Sequence, residues 1–331
     1  MSHSSRLDRR TFLQIGCGLL GAGVLQPVNA WAQSTYPTKP VRVVVPYSAG
    51  GGADTICRLL FGKLSEDFRQ QFIVDNRGGA AGTIGAAVVA KAPADGYTIL
   101  YDATAYSVNP FLFPKLPYDP RKDFQPVFLA GVIPNLLLVH PSVKAKSVAD
   151  VIAIAKAAPE GLNWASAGNG SVQHLALELF RKLAGIKLNH VPYKGGAPAL
   201  TDLVGGHVKF YFSNTAASSS YVKNGSVRAI AHTGRGRLAA FPDIPPVSDT
   251  LPGFEAYEWN GVFVPARTSQ DVIDRLNAAL NAAARTPAIM ERLAGLSVEV
   301  RQNTPAEFGA FVTSEMDKWG KLVREADIKL E

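Results

Sequence analysis

Apolar runs of strand length alternate with stretches of helical spacing along this chain, and they do so in two blocks that open alike. "VVVPYSAGGGADTICRLL" carries Ser48-Ala49-Gly50, and "NWASAGNGSVQHLALELF" carries Ser166-Ala167-Gly168. Each copy runs from a buried strand through a glycine turn into a helix. Strand–helix alternation implies parallel sheets covered by helices on both faces. Two such blocks predict two α/β domains. In open α/β sheets ligands bind just beyond the carboxyl ends of the strands, so two domains facing each other there would hold one ligand between two glycine loops.

The pattern places strands at 41–46, 71–76, 97–102, 135–141, 162–166, 187–193, 208–214 and 227–233. Helices are predicted at 53–68, with Asp54 able to cap it, and at 81–92. Further helices fall at 147–159, capped by Ser147, at 171–185, ended by Gly185, and at 196–206. The tail reads as three helices, 269–286, 287–296 and 305–326, wrapped over an existing sheet. "NPFLFPKLPYDPRKDFQP" carries too much proline for regular structure and reads as an ordered connection.

A chain of 331 residues with 47% hydrophobic and 18% charged residues can bury the core that two domains need. Its net charge of +7 is spread along the sequence. No run of Lys and Arg is dense enough for a nucleic-acid arm, so no nucleic-acid partner is expected. Residues 1–32 have the layout of an export signal: Arg9-Arg10 followed by Phe12-Leu13, a weakly apolar stretch, then Ala30-Trp31-Ala32. The stretch is shorter than the ~20 residues of a membrane span. A twin-arginine signal cleaved after Ala32 is predicted, which places the mature protein in the periplasm. Cys57 is then the lone cysteine, unable to form an internal disulfide and spaced with Leu60 and Leu64 as a buried filler.

The chemistry of the two loops suits an anion. Backbone N–H groups at a helix start are unpaired, and the dipole favours negative charge there. Ser48, Ser166, Asn169 and Ser171 add neutral donors, a combination that fits a carboxylate. Either loop alone reads as an ordinary strand-to-helix turn; two in matching positions favour a cradle. His174, in the first turns of the second helix, could approach the ligand, though such a histidine is more often structural. Tyr47, Tyr106, Phe111, Tyr193, Phe212 and Trp259 are candidate pocket walls. No catalytic set emerges. Gly234-Arg235-Gly236 is followed by prolines that forbid the helix of a dinucleotide site. Ser220 and Lys223 match Ser-x-x-Lys without its partner motifs. Histidines 140, 174, 190, 207 and 232 show no metal-ligand spacing, so neither metal nor cofactor is expected.

"VPYSAGGGAD", "DNRGGAAGTIGA", "ADGYT", "NPFLFPKLPYDPRKDFQPV", "LNWASAGNGSVQHLALELF", "HVPYKGGAPALTDLVGG" and "FPDIPPVSDTLPGFE" fall in one order. That order resembles the Bug family of extracytoplasmic solute receptors, the binding components of tripartite tricarboxylate transporters. The resemblance implies a type II periplasmic-binding-protein fold, with one lobe from 36–134 and 235–331, the other from 135–234, and two crossovers. It implies a carboxylate held by the loops Ser48–Gly52 (Ser48, Ala49, Gly50, Gly51, Gly52) and Ser166–Ser171 (Ser166, Ala167, Gly168, Asn169, Ser171), partly through water; Tyr47, Asp54 and His174 beside these loops, and Asn214, are further ligand-binding candidates. Lesser contacts would come from Thr104, Tyr193 and Asp202. Gly78 departs from the family's usual proline. Asn214 stands where many relatives carry an acid, which argues against a ligand bearing an ammonium group. The implied protein is a monomeric, non-enzymatic receptor that delivers a small carboxylic acid to a membrane permease. A sensor on the same fold and a hydrolase using Ser220 and Lys223 are the alternatives.

Overall fold

A computed structural model describes residues 36–47, 49–50, 52–193, 195–326 and 328. The export signal at 1–32 and the loop residues Ser48 and Gly51 lie outside the described residues. Among the described residues nine strands form one continuous sheet: β1 (Val41–Val45), β2 (Phe72–Asn76), β3 (Thr98–Ala103), β4 (Phe124–Val139), β5 (Leu162–Ser166), β6 (Leu188–Pro192), β7 (Phe210–Asn214), β8 (Arg228–His232) and β9 (Tyr257–Pro265). Their order is β2-β1-β3-β9-β4-β7-β5-β6, with β8 paired to β4.

The sheet is mixed, which corrects the expectation of parallel sheets alone. β1, β2 and β3 are parallel, as are β5, β6 and β7. The middle is antiparallel, because the long strand β4 changes partner along its length. Its first part, Phe124–Pro134, pairs with β9; Asn135–Val139 pairs with β7, and Leu136–Val139 with β8. Register shifts near Pro126 and Gly131 bend this strand, and a proline, lacking an N–H, is tolerated at such a bulge.

Among the described residues ten α-helices cover the sheet: α1 (Gly52–Phe68), α2 (Thr83–Ala90), α3 (Ala105–Leu112), α4 (Val148–Lys156), α5 (Val172–Ala184), α6 (Gly196–Val204), α7 (Thr215–Lys223), α8 (Gln270–Ala284), α9 (Pro287–Gly295) and α10 (Pro305–Glu325). Ser147 and Asp150 form a capping box at the start of α4, and Thr304 and Glu307 form another at α10. Gly185 ends α5 in the left-handed region at φ 60° and ψ 42°. Three elements differ from the sequence reading. The proline-rich connection contains α3, which takes Pro110 into its last turns, and it leads directly into β4. Helix α7 and strand β9 were not expected.

Buried side chains gather on two sides of the β4 crossing. One side is built on β1 and β3 with α1, α8 and α9, including Leu60, Phe61, Ile99 and Leu276, and on α2 and α10 with Trp259 and Phe308. The other is built on β5 and β7 with α4, α5 and α6, including Trp164, Phe180, Phe212 and Tyr211. Helix α10 serves both: Val312 and Met316 join the first, Trp319 and Leu322 the second. Cys57 is fully buried, as its spacing predicted. No helix among the described residues is long and apolar enough to cross a membrane.

Candidate ligand-binding site

A cavity of about 530 Å³ opens where the carboxyl ends of β1, β5 and β7 approach one another, within the size range of small-molecule sites. Gly50, Gly52, Thr55 and Ile56 line it from the first loop and α1. Ala167 and Gln173 line it from the second loop and α5, and Gly196 and Ala197 from the start of α6. Tyr211, Ser213 and Asn214 come from β7, Ala216 and Ala217 from α7, and Glu258 from β9. Four helices, α1, α5, α6 and α7, therefore begin at this cavity. Their first-turn N–H groups have no partner within the helix. At α6 the cap residue Gly195, at φ 115°, offers no side-chain acceptor to those groups.

The first loop is held from beneath. Asp54 is buried and accepts from the Gly50 N–H at 2.8 Å, from Arg58 Nε at 2.9 Å and from Asn76 Nδ2 at 2.9 Å. Burial alone would raise its pKa, but those three donors outweigh burial and hold it below the usual carboxylate value. Asp54 thus shapes the loop and does not line the cavity. Tyr47 is likewise turned inward: its hydroxyl donates to Asp102 Oδ1 at 2.7 Å. Asp102 is fully buried, and burial pushes it up to about 7 against the lowering effect of Tyr47 and the Ala103 N–H. Ala49 is exposed beside the cavity.

The second loop is satisfied internally. Ser166 Oγ accepts from the Gly168 N–H at 3.0 Å and lies 2.5 Å from His190 Nε2. The His190 ring stacks on His174, with centroids 3.8 Å apart and planes at 5°. His174 Nδ1 in turn accepts from the Gly170 N–H at 3.2 Å. Burial lowers His174 to about 3, helped by His190 and Arg181, and lowers His190 to about 4, so both rings are neutral at pH 7. Gly168 sits at φ 122°, and a β-carbon there would lie 3.0 Å from the Tyr193 carbonyl oxygen. The Gly195 N–H donates to the Ala167 carbonyl at 3.1 Å, tying this loop to the start of α6. Ser171 caps α5 by accepting from the His174 N–H, and Asn169 does not line the cavity. Tyr193 donates to Asp202 Oδ2 at 2.7 Å, which joins the end of β6 to α6, and neither residue lines the cavity.

Of the residues expected from sequence, the structure brings Gly50, Gly52, Ala167 and Asn214 to the cavity wall. Thr104 is buried, donating to the Tyr257 carbonyl and accepting from the Trp259 N–H at 2.9 Å, so it fastens α3 to β9. Tyr106, Phe212 and Trp259 are fully buried core residues, and Phe111 packs between α3 and α10. Ser220 and Lys223 lie exposed on α7, and neither lines the cavity. No cluster of metal ligands occurs among the described residues.

Sequence reasoning missed Gln173, the starts of α6 and α7, and Glu258. Two of these carried a signal: "HVPYKGGAPAL" and "FYFSNTAAS" repeat the strand, small-residue turn and helix start of the Ser-Ala-Gly loops. Glu258 had none, because its strand was not expected. Asn214 caps α7 by accepting from the Ala216 N–H at 2.9 Å, and its own Nδ2 donates to Glu258 Oε2 at 2.8 Å.

Two α/β halves joined by crossing strands, with a cavity where strand ends and helix starts converge, define a solute receptor of the periplasmic-binding-protein type. The family described as tripartite tricarboxylate transporter family receptor matches residues 56–328, and the chain belongs to that family. It is similar to protein BugT of Bordetella pertussis, with 34% identity covering 97% of this chain and 99% of the relative. Among solved structures it is similar to Rhodopseudomonas palustris Rpa4515 with adipate, at TM-score 0.81 and 34% identity, over 89% of this chain and 100% of that one. MatC of the same organism, with bound malate, matches at TM-score 0.77 and 32% identity, over 87% and 100%.

Proposed function

We propose that this protein is an extracytoplasmic solute receptor that captures a small carboxylate between two lobes, 36–134 with 235–331 and 135–234, and delivers it to a tripartite membrane permease. The observation that carries this reading is the convergence of four helix starts on one cavity, with the side-chain-uncapped start of α6 among them. A carboxylate accepts several backbone N–H bonds and is favoured by helix dipoles without a full counter-charge. Relatives bound to adipate and malate are consistent with it. In this reading the twin-arginine signal ends at Ala32, and the mature chain works as a monomer in the periplasm. The loops held by Asp54 and by the Ser166–His190 contact present main chain to the ligand, while Gly52 and Gly196 leave room for it.

The test is a thermal-shift screen of the purified mature protein against aliphatic mono-, di- and tricarboxylates, aromatic acids and amino acids. A ligand at a hundred times its Kd stabilises the folded state by roughly 2.7 kcal/mol, so at least one acid is expected to raise the melting temperature clearly. Melting curves that stay flat across the whole set overturn the reading.

A further inference from the structure

Glu258 is the one carboxylate among the described residues that line the cavity, and no Lys, Arg or His accompanies it there. Its position follows from the crossing of β4. Ile133 is opposite Glu258 on β9, and two residues later Asn135 is opposite Asn214 on β7. Glu258 and Asn214 therefore meet where β4 passes from one partner to the other, at the floor of the cavity. The bond from Asn214 Nδ2 to Glu258 Oε2, at 2.8 Å, fixes the carboxyl group. Gln173, which donates to Asn135 Oδ1 at 3.1 Å, also turns its amide toward Glu258. Both partners are neutral amides.

We infer that Glu258 determines ligand specificity: its carboxylate accepts a hydrogen bond from a hydroxyl or ammonium group on the acid held at the loops, and disfavours a second carboxylate. This rests on the carboxylate-receptor reading above and names the chemistry of the same site. A carboxylate fixed by neutral amides keeps acceptor capacity for a donor on the ligand. Two uncompensated carboxylates within one partly desolvated cavity repel. The absence of an acid at position 214 therefore does not argue against an ammonium group, because β9 supplies the acid to the same place.

Calorimetry on the full mature chain at pH 7.5 tests this with two matched series, of four and six carbons. Each contains the unsubstituted acid, the ω-hydroxy acid, the ω-amino acid and the diacid. In at least one series a donor-bearing acid is expected to bind at least about tenfold more tightly than the diacid, the effect of a hydrogen bond to a charged group. Glu258→Gln keeps one oxygen to accept from Asn214, but turns the other carboxylate oxygen into an amide donor and removes the negative charge. It is expected to shrink that ratio at least about tenfold, which a purely structural role would not do. The ω-hydroxy and ω-amino arms then tell whether the donor is neutral or cationic. A diacid preferred by the wild type, or a ratio unchanged in Glu258→Gln, overturns this assignment while leaving the receptor reading intact. No heat from any acid in either series, together with flat melting curves, overturns both.

Discussion

At Gly52 a β-carbon would meet no heavy atom within 4 Å, and the residue lines the cavity at the start of α1. Substitution there strains no backbone, so it probes ligand space directly. Gly52→Ala is expected to leave stability equal or raised by about 0.4–1 kcal/mol, through the unfolded state. Gly52→Val is expected to weaken carboxylate binding about fivefold or more, the equivalent of a 1–3 kcal/mol overpacking cost. Unchanged affinity in calorimetry removes the first loop from the site. Ser166 is the contrasting case. Its hydroxyl is committed to Gly168 and His190, so Ser166→Ala is expected to lower the ligand-free unfolding free energy by about 1–3 kcal/mol. Urea unfolding checks this, and an unaltered midpoint refutes the loop-holding role. The sequence marked both residues as candidate ligand contacts; a pattern of small polar residues does not reveal that the Ser166 hydroxyl has partners of its own in the loop.

Most elements were legible because their apolar spacing is set by burial on a sheet. Those that were missed carry residues that weaken the signal. β9 reads Tyr-Glu-Trp-Asn-Gly-Val, and Asn260 and Gly261 interrupt the apolar run even though both positions are buried. Helix α3 contains Pro110, and α7 is rich in serine. Pairing direction was not legible either, since antiparallel contact between β4 and β9 joins segments over a hundred residues apart. Losing β9 hid Glu258. The packing of α10 illustrates a further constraint that no periodicity shows. A β-carbon at Gly320 would lie 2.4 Å from the Phe111 ring of α3. Alanine at this mid-helix position should gain about 1 kcal/mol of propensity. Gly320→Ala is nonetheless expected to destabilise the protein in net, because overpacking costs about 1–3 kcal/mol. Adding Phe111→Ala should then cost less than it does in the wild type, a coupling that a double-mutant cycle measures. Additive effects would show that α10 can shift away from α3.

Across the whole molecule two titratable sites, the His174–His190 pair on one side of the β4 crossing and Asp102 on the other, respond to pH in opposite senses. His174 and His190, beside the second loop, have pKa values lowered by burial to about 3 and about 4 from the ordinary 6.5. The unfolded chain binds more protons than the folded one in that window, so stability is lost as pH falls from about 6.5 toward 4. Asp102, on the other side, is raised by burial from 3.8 to about 7. Here the folded state holds the extra proton, so stability falls as pH rises from about 4 to 7 and the cost is complete above that. The two slopes oppose each other in the wild type. Asp102→Asn keeps an acceptor for the Tyr47 hydroxyl and removes only the second slope. The unfolding free energy of Asp102→Asn relative to wild type is therefore expected to grow steadily between pH 4.5 and 7 and then level off. Urea titrations at half-unit steps check this, with the variant's stability maximum displaced to higher pH. A difference that stays constant across the window would mean that Asp102 is ionised in the fold throughout, with the Tyr47 hydroxyl and the Ala103 N–H stabilising its charge more than burial opposes it.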